Sequence, residues 1–250
     1  MSLIKFSFKS LFSKPLKPNP INTTRKTSLV FGLFFAGTFV FSIPALFFYD
    51  PLFKSNEYLV LGGFDTRISI GALFEILLAI CNIATAVVIF PVFKRVSESV
   101  SLGYVASRTV ESLLILTGVI SLMSVMSFRA GFISGGDTHD LLMTKQLFVT
   151  FHDWTFLLGP QFCSGFGNGM LLGYLMYRSG AVPKRLALIG LIGGPLAFLG
   201  GIMVLFDVLK PLSPGLFAFT ALEIIWELSI TFYSIFKGFS SSPLLDSKIS

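Results

Sequence analysis

The chain has 250 residues, of which 53% are hydrophobic and only 13% are charged, and its formal net charge is +6. A mean hydropathy of +0.80 leaves too little polar surface for a water-soluble globular protein, so the composition predicts a membrane protein. Nucleic-acid binding is not expected from the basic balance, because no soluble domain accompanies it.

The first 27 residues form a basic stretch with six Lys and Arg residues and three Pro residues. We predict a flexible cytoplasmic arm for 1–27, a single transmembrane helical domain for 28–238 and a short cytoplasmic tail for 239–250. The first apolar run is long enough to cross a bilayer, so we expect an uncleaved first helix rather than a signal peptide.

Six segments meet the requirement of about 20 mostly apolar residues for a membrane crossing. Lipid offers no hydrogen-bond partners to the backbone, and alternating ten-residue strands are absent from the sequence, so the segments are expected to be helices. The predicted fold is an all-α, polytopic transmembrane helix bundle. Its helices are expected near 29–49, 68–93, 102–128, 146–177, 186–206 and 216–236.

The distribution of basic residues predicts the orientation of these six segments. With the N-terminus in the cytoplasm, fourteen of the 19 Lys and Arg residues fall on the cytoplasmic side and five fall outside. Cytoplasmic loops of membrane proteins carry such an excess. We therefore expect both termini to be cytoplasmic.

The fourth segment, 146–177, is longer than a crossing requires, at roughly 48 Å against a hydrocarbon core of roughly 30 Å. Pro and clustered Gly weaken a helix, so a break is predicted inside it. A broken helix can expose carbonyls to a substrate or ion, whereas the other interpretation is a kink with close packing through Gly165 and Gly169. The residues of the predicted break are Gly159, Pro160, Gly165, Gly167, Asn168 and Gly169.

Five acidic residues lie in the apolar segments, and each costs roughly 3 kcal/mol at the centre of a membrane helix. Arg108 and Glu111 are three residues apart, so we predict a structural ion pair in which the Arg head extends toward the inner interface. The other four acids are Glu75, Asp153, Glu223 and Glu227.

These four acids are expected at similar depths on three helices, together with one imidazole and one amide. Such a set is able to bind a divalent metal, to relay protons, or to share protons as neutral carboxylic acids. The sequence establishes no metal and no cofactor. The predicted polar pocket consists of Glu75, Asn82, His152, Asp153, Glu223 and Glu227.

Several sequence motifs, in this order, resemble a known family. They are 71–95 (GALFEILLAICNIATAVVIFPVFKR), 102–111 (LGYVASRTVE), 152–159 (HDWTFLLG), 171–184 (LLGYLMYRSGAVPK) and the late pair Trp226-Glu227. From 27 to 238 the chain resembles bacterial membrane proteins catalogued as domain of unknown function 4386. The resemblance implies a multi-pass protein of the bacterial cytoplasmic membrane and supplies no catalytic residues.

Three functions are compatible with these features. Our hypothesis is an ion- or proton-linked transport or sensing role through the polar pocket, with lipid and a small solute, proton or ion as partners. One alternative is a membrane-embedded, metal-dependent enzyme, and another is a structural or accessory membrane protein. The sequence does not determine the substrate or the oligomeric state.

Overall fold

The structure is a computed structural model that describes residues 20–60, 65–131 and 138–240. Within these residues the regular backbone is helical, with no β-strand. Two π-helical stretches, π1 and π2, occur in the middle of the chain. The elements are α1 (Pro20–Lys54), α2 (Glu57–Val60), α3 (Thr66–Phe93), α4 (Glu98–Gly131), α5 (Thr138–Phe156), π1 (Leu157–Cys163), π2 (Gly165–Leu172), α6 (Gly173–Ser179), α7 (Lys184–Leu205) and α8 (Pro214–Phe236).

Five helices in the described part of the chain are long and apolar enough to cross a membrane: α1, α3, α4, α7 and α8. Their most apolar windows have mean hydropathies from 1.5 to 2.5. Many of their exposed residues are Leu, Ile, Val and Phe, which suits a surface in contact with lipid. The predicted all-α class is therefore confirmed, and these five helices suit a membrane-embedded protein.

The sixth predicted segment, 146–177, is divided among α5, π1, π2 and α6, and none of these four is both long and apolar. Together they nevertheless extend from one end of the bundle to the other. Near its start, Lys145 Nζ donates to the carbonyl of Ser55, 3.0 Å away, just after α1. Just beyond its end, the carbonyl of Ala181 accepts from the backbone N–H of Ser240, which follows α8, at 2.8 Å.

The N-terminal boundary differs from the prediction, because helix α1 already begins at Pro20. Arg25, expected in a flexible arm, donates to the carbonyls of Ser234 and Ile235 at 3.1 and 2.7 Å. These carbonyls are in the last turn of α8, where helical partners are missing. The rest of the predicted arm, 1–19, and the tail from 241 onward lie outside the described residues.

A cluster of polar side chains connects the helices at the end of the bundle where α3 begins. Asp65 caps α3 by accepting from the N–H of Arg67 at 2.7 Å, and Tyr58 Oη donates to its other oxygen at 2.6 Å. This bond holds the pKa of Asp65 below its usual value. Arg129 from α4 donates to the carbonyl of Tyr58 at 2.9 Å and lies over its ring. The connection between α1 and α3 is thereby attached to α4.

The backbones of π2 and α7 touch each other through glycines. A Cβ placed on Gly169 would stand 2.2 Å from Cα of Gly194, and one placed on Gly194 would stand 2.5 Å from the carbonyl oxygen of Gly165. Distances this short mean that no side chain fits between the two elements. Close backbone contact through small residues is a common form of helix packing in membranes.

We predict that Gly194→Ala lowers the free energy of unfolding by about 1–3 kcal/mol, because the new methyl group must displace backbone. Gly131→Ala is the matched control, since a Cβ there meets no atom of the described residues within 4 Å. Thermal unfolding of the two variants in detergent measures the difference. Equal melting temperatures would show that π2 and α7 are not in this contact.

Candidate functional site

The structure separates the residues of the predicted pocket into three clusters. The members of the predicted pocket lie at different depths: Glu75 and Asn82, for example, are seven residues apart on α3, roughly 10 Å along the helix axis. We name the groups the histidine cluster (Tyr49, Glu75, His152), the arginine cluster (Asn82, Arg108, Glu111) and the glutamate cluster (Ser164, Asn168, Glu223, Glu227).

The histidine cluster joins α1, α3 and α5. Tyr49 Oη donates to Glu75 Oε2 at 3.0 Å, and His152 Nε2 lies 3.3 Å from Glu75 Oε1. All three side chains are buried. Both oxygens of this carboxylate therefore have a partner, as a carboxylate in an apolar interior requires.

Asp153, which was predicted in the pocket, points out of the bundle with 62% of its side chain exposed. Its Oδ1 atom lies 3.9 Å from Nδ1 of His152, which is too far for a hydrogen bond, and Nδ1 has no other partner in the described structure. The imidazole is surrounded by aromatic rings, with that of Phe156 centred 4.6 Å away. His152 therefore stands between an exposed carboxylate and a buried one.

The arginine cluster is buried in the bundle interior. Arg108 Nη1 is 2.7 Å from Glu111 Oε2, and its Nη2 donates to Asn82 Oδ1. Asn82 Nδ2 in turn donates to Glu111 Oε1 at 3.2 Å. The expectation that the Arg head reaches the membrane interface is wrong, since Arg108 is 2% exposed. Its guanidinium stays inside because two partners are available there.

The predicted helix break is instead a widened helix. Residues 157–172 are π-helical except at Ser164, and Pro160 lies within π1. Two carbonyls of this segment accept from side chains of neighbouring helices: that of Cys163 accepts from Ser107 Oγ at 3.0 Å, and that of Asn168 accepts from Trp226 Nε1 at 2.9 Å. These bonds attach the widened segment to α4 and α8. Such π-helical bulges are frequent at functional sites.

The glutamate cluster lies between π2 and α8. Glu227 Oε1 accepts from Ser164 Oγ and from Asn168 Nδ2, both at 2.6 Å. Glu223, one turn earlier, is 3% exposed, and neither of its oxygens has a hydrogen-bond partner in the described structure. The Oδ1 atom of Asn168 is likewise buried without a partner.

Sequence reasoning missed Ser164 as a polar partner and assigned Asn168 only to the helix break. Their four-residue spacing, which places two polar side chains on one helix face, was the available signal. The arginine and glutamate clusters adjoin, because Ser107, next to Arg108 in α4, donates to the carbonyl of Cys163, next to Ser164. Among the described residues, no three His, Cys, Asp or Glu side chains are grouped as metal ligands.

We predict that Arg108→Met lowers the free energy of unfolding by about 3–5 kcal/mol, because it leaves the buried Glu111 without its cation. The double variant Arg108→Met/Glu111→Leu should lose less than the single one. Lys210→Met is the control, since its ion pair with Asp207 is exposed and is worth less than about 1 kcal/mol. Unfolding curves in detergent that show strictly additive losses in the double variant would contradict the pairing.

Comparison with known proteins identifies the family to which the chain belongs. No curated protein and no solved structure is detectably similar to this chain. The family whose description reads Domain of unknown function (DUF4386) matches residues 30–238, which confirms the resemblance seen in the sequence motifs. The chain is a member of the DUF4386 family, with its histidine, arginine and glutamate clusters all inside the matched region.

Proposed function

We propose that this chain is a six-crossing protein of the bacterial cytoplasmic membrane, with both termini in the cytoplasm, that carries out proton-linked transport. The excess of basic residues on one side supports the orientation. The passage of α5, π1, π2 and α6 from end to end of the bundle supports the sixth crossing.

The position of His152 is the main support for the proton-linked role. Its Nδ1 atom faces the exposed Asp153 at 3.9 Å, and its Nε2 atom faces the buried Glu75 at 3.3 Å. Histidine is the side chain whose charge changes most readily near neutral pH. An imidazole between an exposed and a buried carboxylate is suited to moving a proton inward.

The transfer requires only the two ring nitrogens. A neutral imidazole accepts at one nitrogen and donates from the other. When Nδ1 takes a proton from the Asp153 side, the ring becomes a cation, and release of the Nε2 proton to Glu75 Oε1 returns it to neutrality. Tyr49 keeps its bond to Oε2 during this step, so the carboxylate remains in position.

Titratable groups continue beyond Glu75 toward the other end of the bundle. Asn82 lies seven residues further along α3 and contacts Glu111, which pairs with Arg108. Ionisable residues inside a membrane protein commonly mark such pathways. The arginine cluster therefore continues the series of polar groups inward from Glu75.

Thiol labelling tests the sixth crossing in a background that lacks Cys81 and Cys163. We expect Asp140→Cys to react with a membrane-impermeant maleimide in spheroplasts, and Arg178→Cys to react only after permeabilisation. Both positions are exposed, in α5 and α6 respectively. Labelling of both from the same side would contradict a crossing between them.

A second pair of positions controls for orientation. Lys210 follows α7 and Arg95 follows α3, and both are exposed. Lys210→Cys should react from outside and Arg95→Cys only after permeabilisation. The reverse pattern would contradict cytoplasmic termini.

Proton flux into proteoliposomes tests the proposed proton transfer from Asp153 through His152 to Glu75, which we call the relay. We expect His152→Phe, which keeps a ring but cannot titrate, and Glu75→Gln, which still accepts from Tyr49, to reduce the flux by about tenfold or more. The matched control is His139→Phe, in the exposed first turn of α5. The flux is measured with a trapped pH-sensitive dye under an imposed pH gradient.

The outcomes separate transport from sensing. No flux with the wild-type protein contradicts transport, and flux unchanged in both variants contradicts the relay. Absent flux combined with a pH-dependent emission of Trp154, lost in Glu75→Gln, would instead indicate sensing. Trp154 is partly exposed and directly follows Asp153, so its fluorescence reports on this end of the relay.

A further inference from the structure

The glutamate cluster contains buried acceptors that the proton relay does not use. Among the described residues, both carboxylate oxygens of Glu223 and the Oδ1 atom of Asn168 have no hydrogen-bond partner, while Glu223 is 3% exposed and Asn168 is 1% exposed. Buried polar atoms are nearly always paired, because an unpaired one loses its hydration without compensation. These three atoms therefore require an occupant.

The carboxylate of Glu223 lies against the widened helix. A Cβ built on Gly169 would stand 2.6 Å from Oε2 of Glu223, so the acceptor is at the backbone of π2, next to Asn168. The amide of Asn168 is held in one orientation, because its Nδ2 donates to Glu227. The remaining amide oxygen and the Glu223 carboxylate thus belong to one small region between π2 and α8.

The hydrogen-bond donors of this region already have acceptors. Trp226 Nε1 donates to the carbonyl of Asn168, and Ser164 Oγ donates to Glu227. The unpartnered atoms of Glu223 and Asn168 are oxygen acceptors, so the occupant must carry positive charge or donate. Oxygen-only coordination is what hard cations such as Na⁺ and Mg²⁺ prefer over imidazole or thiolate.

The local charge favours a monovalent cation. Among the described residues, the acceptors without a partner are one carboxylate, which balances one positive charge, and one amide oxygen, which coordinates an ion without adding charge. Divalent sites in proteins take several carboxylates, and no group of three metal-binding side chains occurs among the described residues.

The backbone around Glu223 is packed too closely to admit an organic cation. A Cβ on Gly193 would stand 2.8 Å from the backbone nitrogen of Glu223, and Gly194 touches Gly169. We propose that Glu223 and Asn168 form a binding site for one small alkali cation between π2 and α8. This site is separate from the relay through His152, so each can fail experimentally without the other.

Fluorescence of Trp226 provides a direct measurement of binding, because its indole contacts Asn168. The chain has two Trp residues, so Trp154→Phe leaves Trp226 as the reporter. Purified protein is titrated with NaCl while choline chloride keeps the ionic strength constant. We expect a saturable change in emission, and at least a tenfold weaker apparent affinity for Na⁺ in Glu223→Gln.

Thermal stability provides a second test, because Glu223→Gln is expected to weaken Na⁺ binding but to raise the melting temperature in the absence of Na⁺. Glu223→Gln removes an unpartnered charge without changing the shape of the side chain, so its melting temperature without Na⁺ should exceed that of the wild type. Na⁺ should raise the melting temperature of the wild type and leave that of Glu223→Gln unchanged. The matched control is Glu98→Gln, at an exposed position in the first turn of α4, which should respond to Na⁺ as the wild type does.

Three results would overturn the site. One is the absence of a saturable response to Li⁺, Na⁺ or K⁺ in folded wild-type protein. Another is a response that is the same in Glu223→Gln. The third is an emission change with pH alone and none with alkali cations, which would show that the Glu223 carboxyl carries only a proton.

Discussion

Lipid supplies no hydrogen bonds, so each polar group inside this protein depends on a partner from the protein itself. The buried acids illustrate this constraint. Glu75 receives Tyr49 and His152, and Glu111 receives Arg108 and Asn82. These contacts connect α1, α3, α4 and α5, so the same bonds that make the charges tolerable also hold the helices in their arrangement.

The widened segment π1–π2 obeys the same constraint. Its carbonyls at Cys163 and Asn168 accept from Ser107 on α4 and Trp226 on α8. Gly194 lets the backbone of α7 approach π2 closely enough to exclude lipid from the contact. The π-helical turns, the glycines and the donors on α4 and α8 are therefore parts of one packing arrangement.

Buried polar atoms without a hydrogen-bond partner are the best candidates for functional groups. His152 Nδ1 and both oxygens of Glu223 are buried without hydrogen-bond partners in the described structure. The Nδ1 atom of His152 faces an exposed carboxylate, which suits proton entry. The carboxylate of Glu223 lies among hydrogen-bond donors that already have acceptors, which suits a bound cation. By contrast, Arg108 and Glu111 are paired with each other, and their contribution to stability is enough to explain their burial.

The sequence alone determined the membrane class, because long apolar runs can satisfy their backbone in lipid only as helices. It also predicted the Arg108–Glu111 pair, since three-residue spacing on a helix is a local property. Tertiary structure alone decided that Asn82 joins that pair, that Asp153 faces outward, and that Glu227 meets Ser164. These contacts depend on the rotation of each helix and on the wider π turns, and rotation follows from packing between helices rather than from spacing within one.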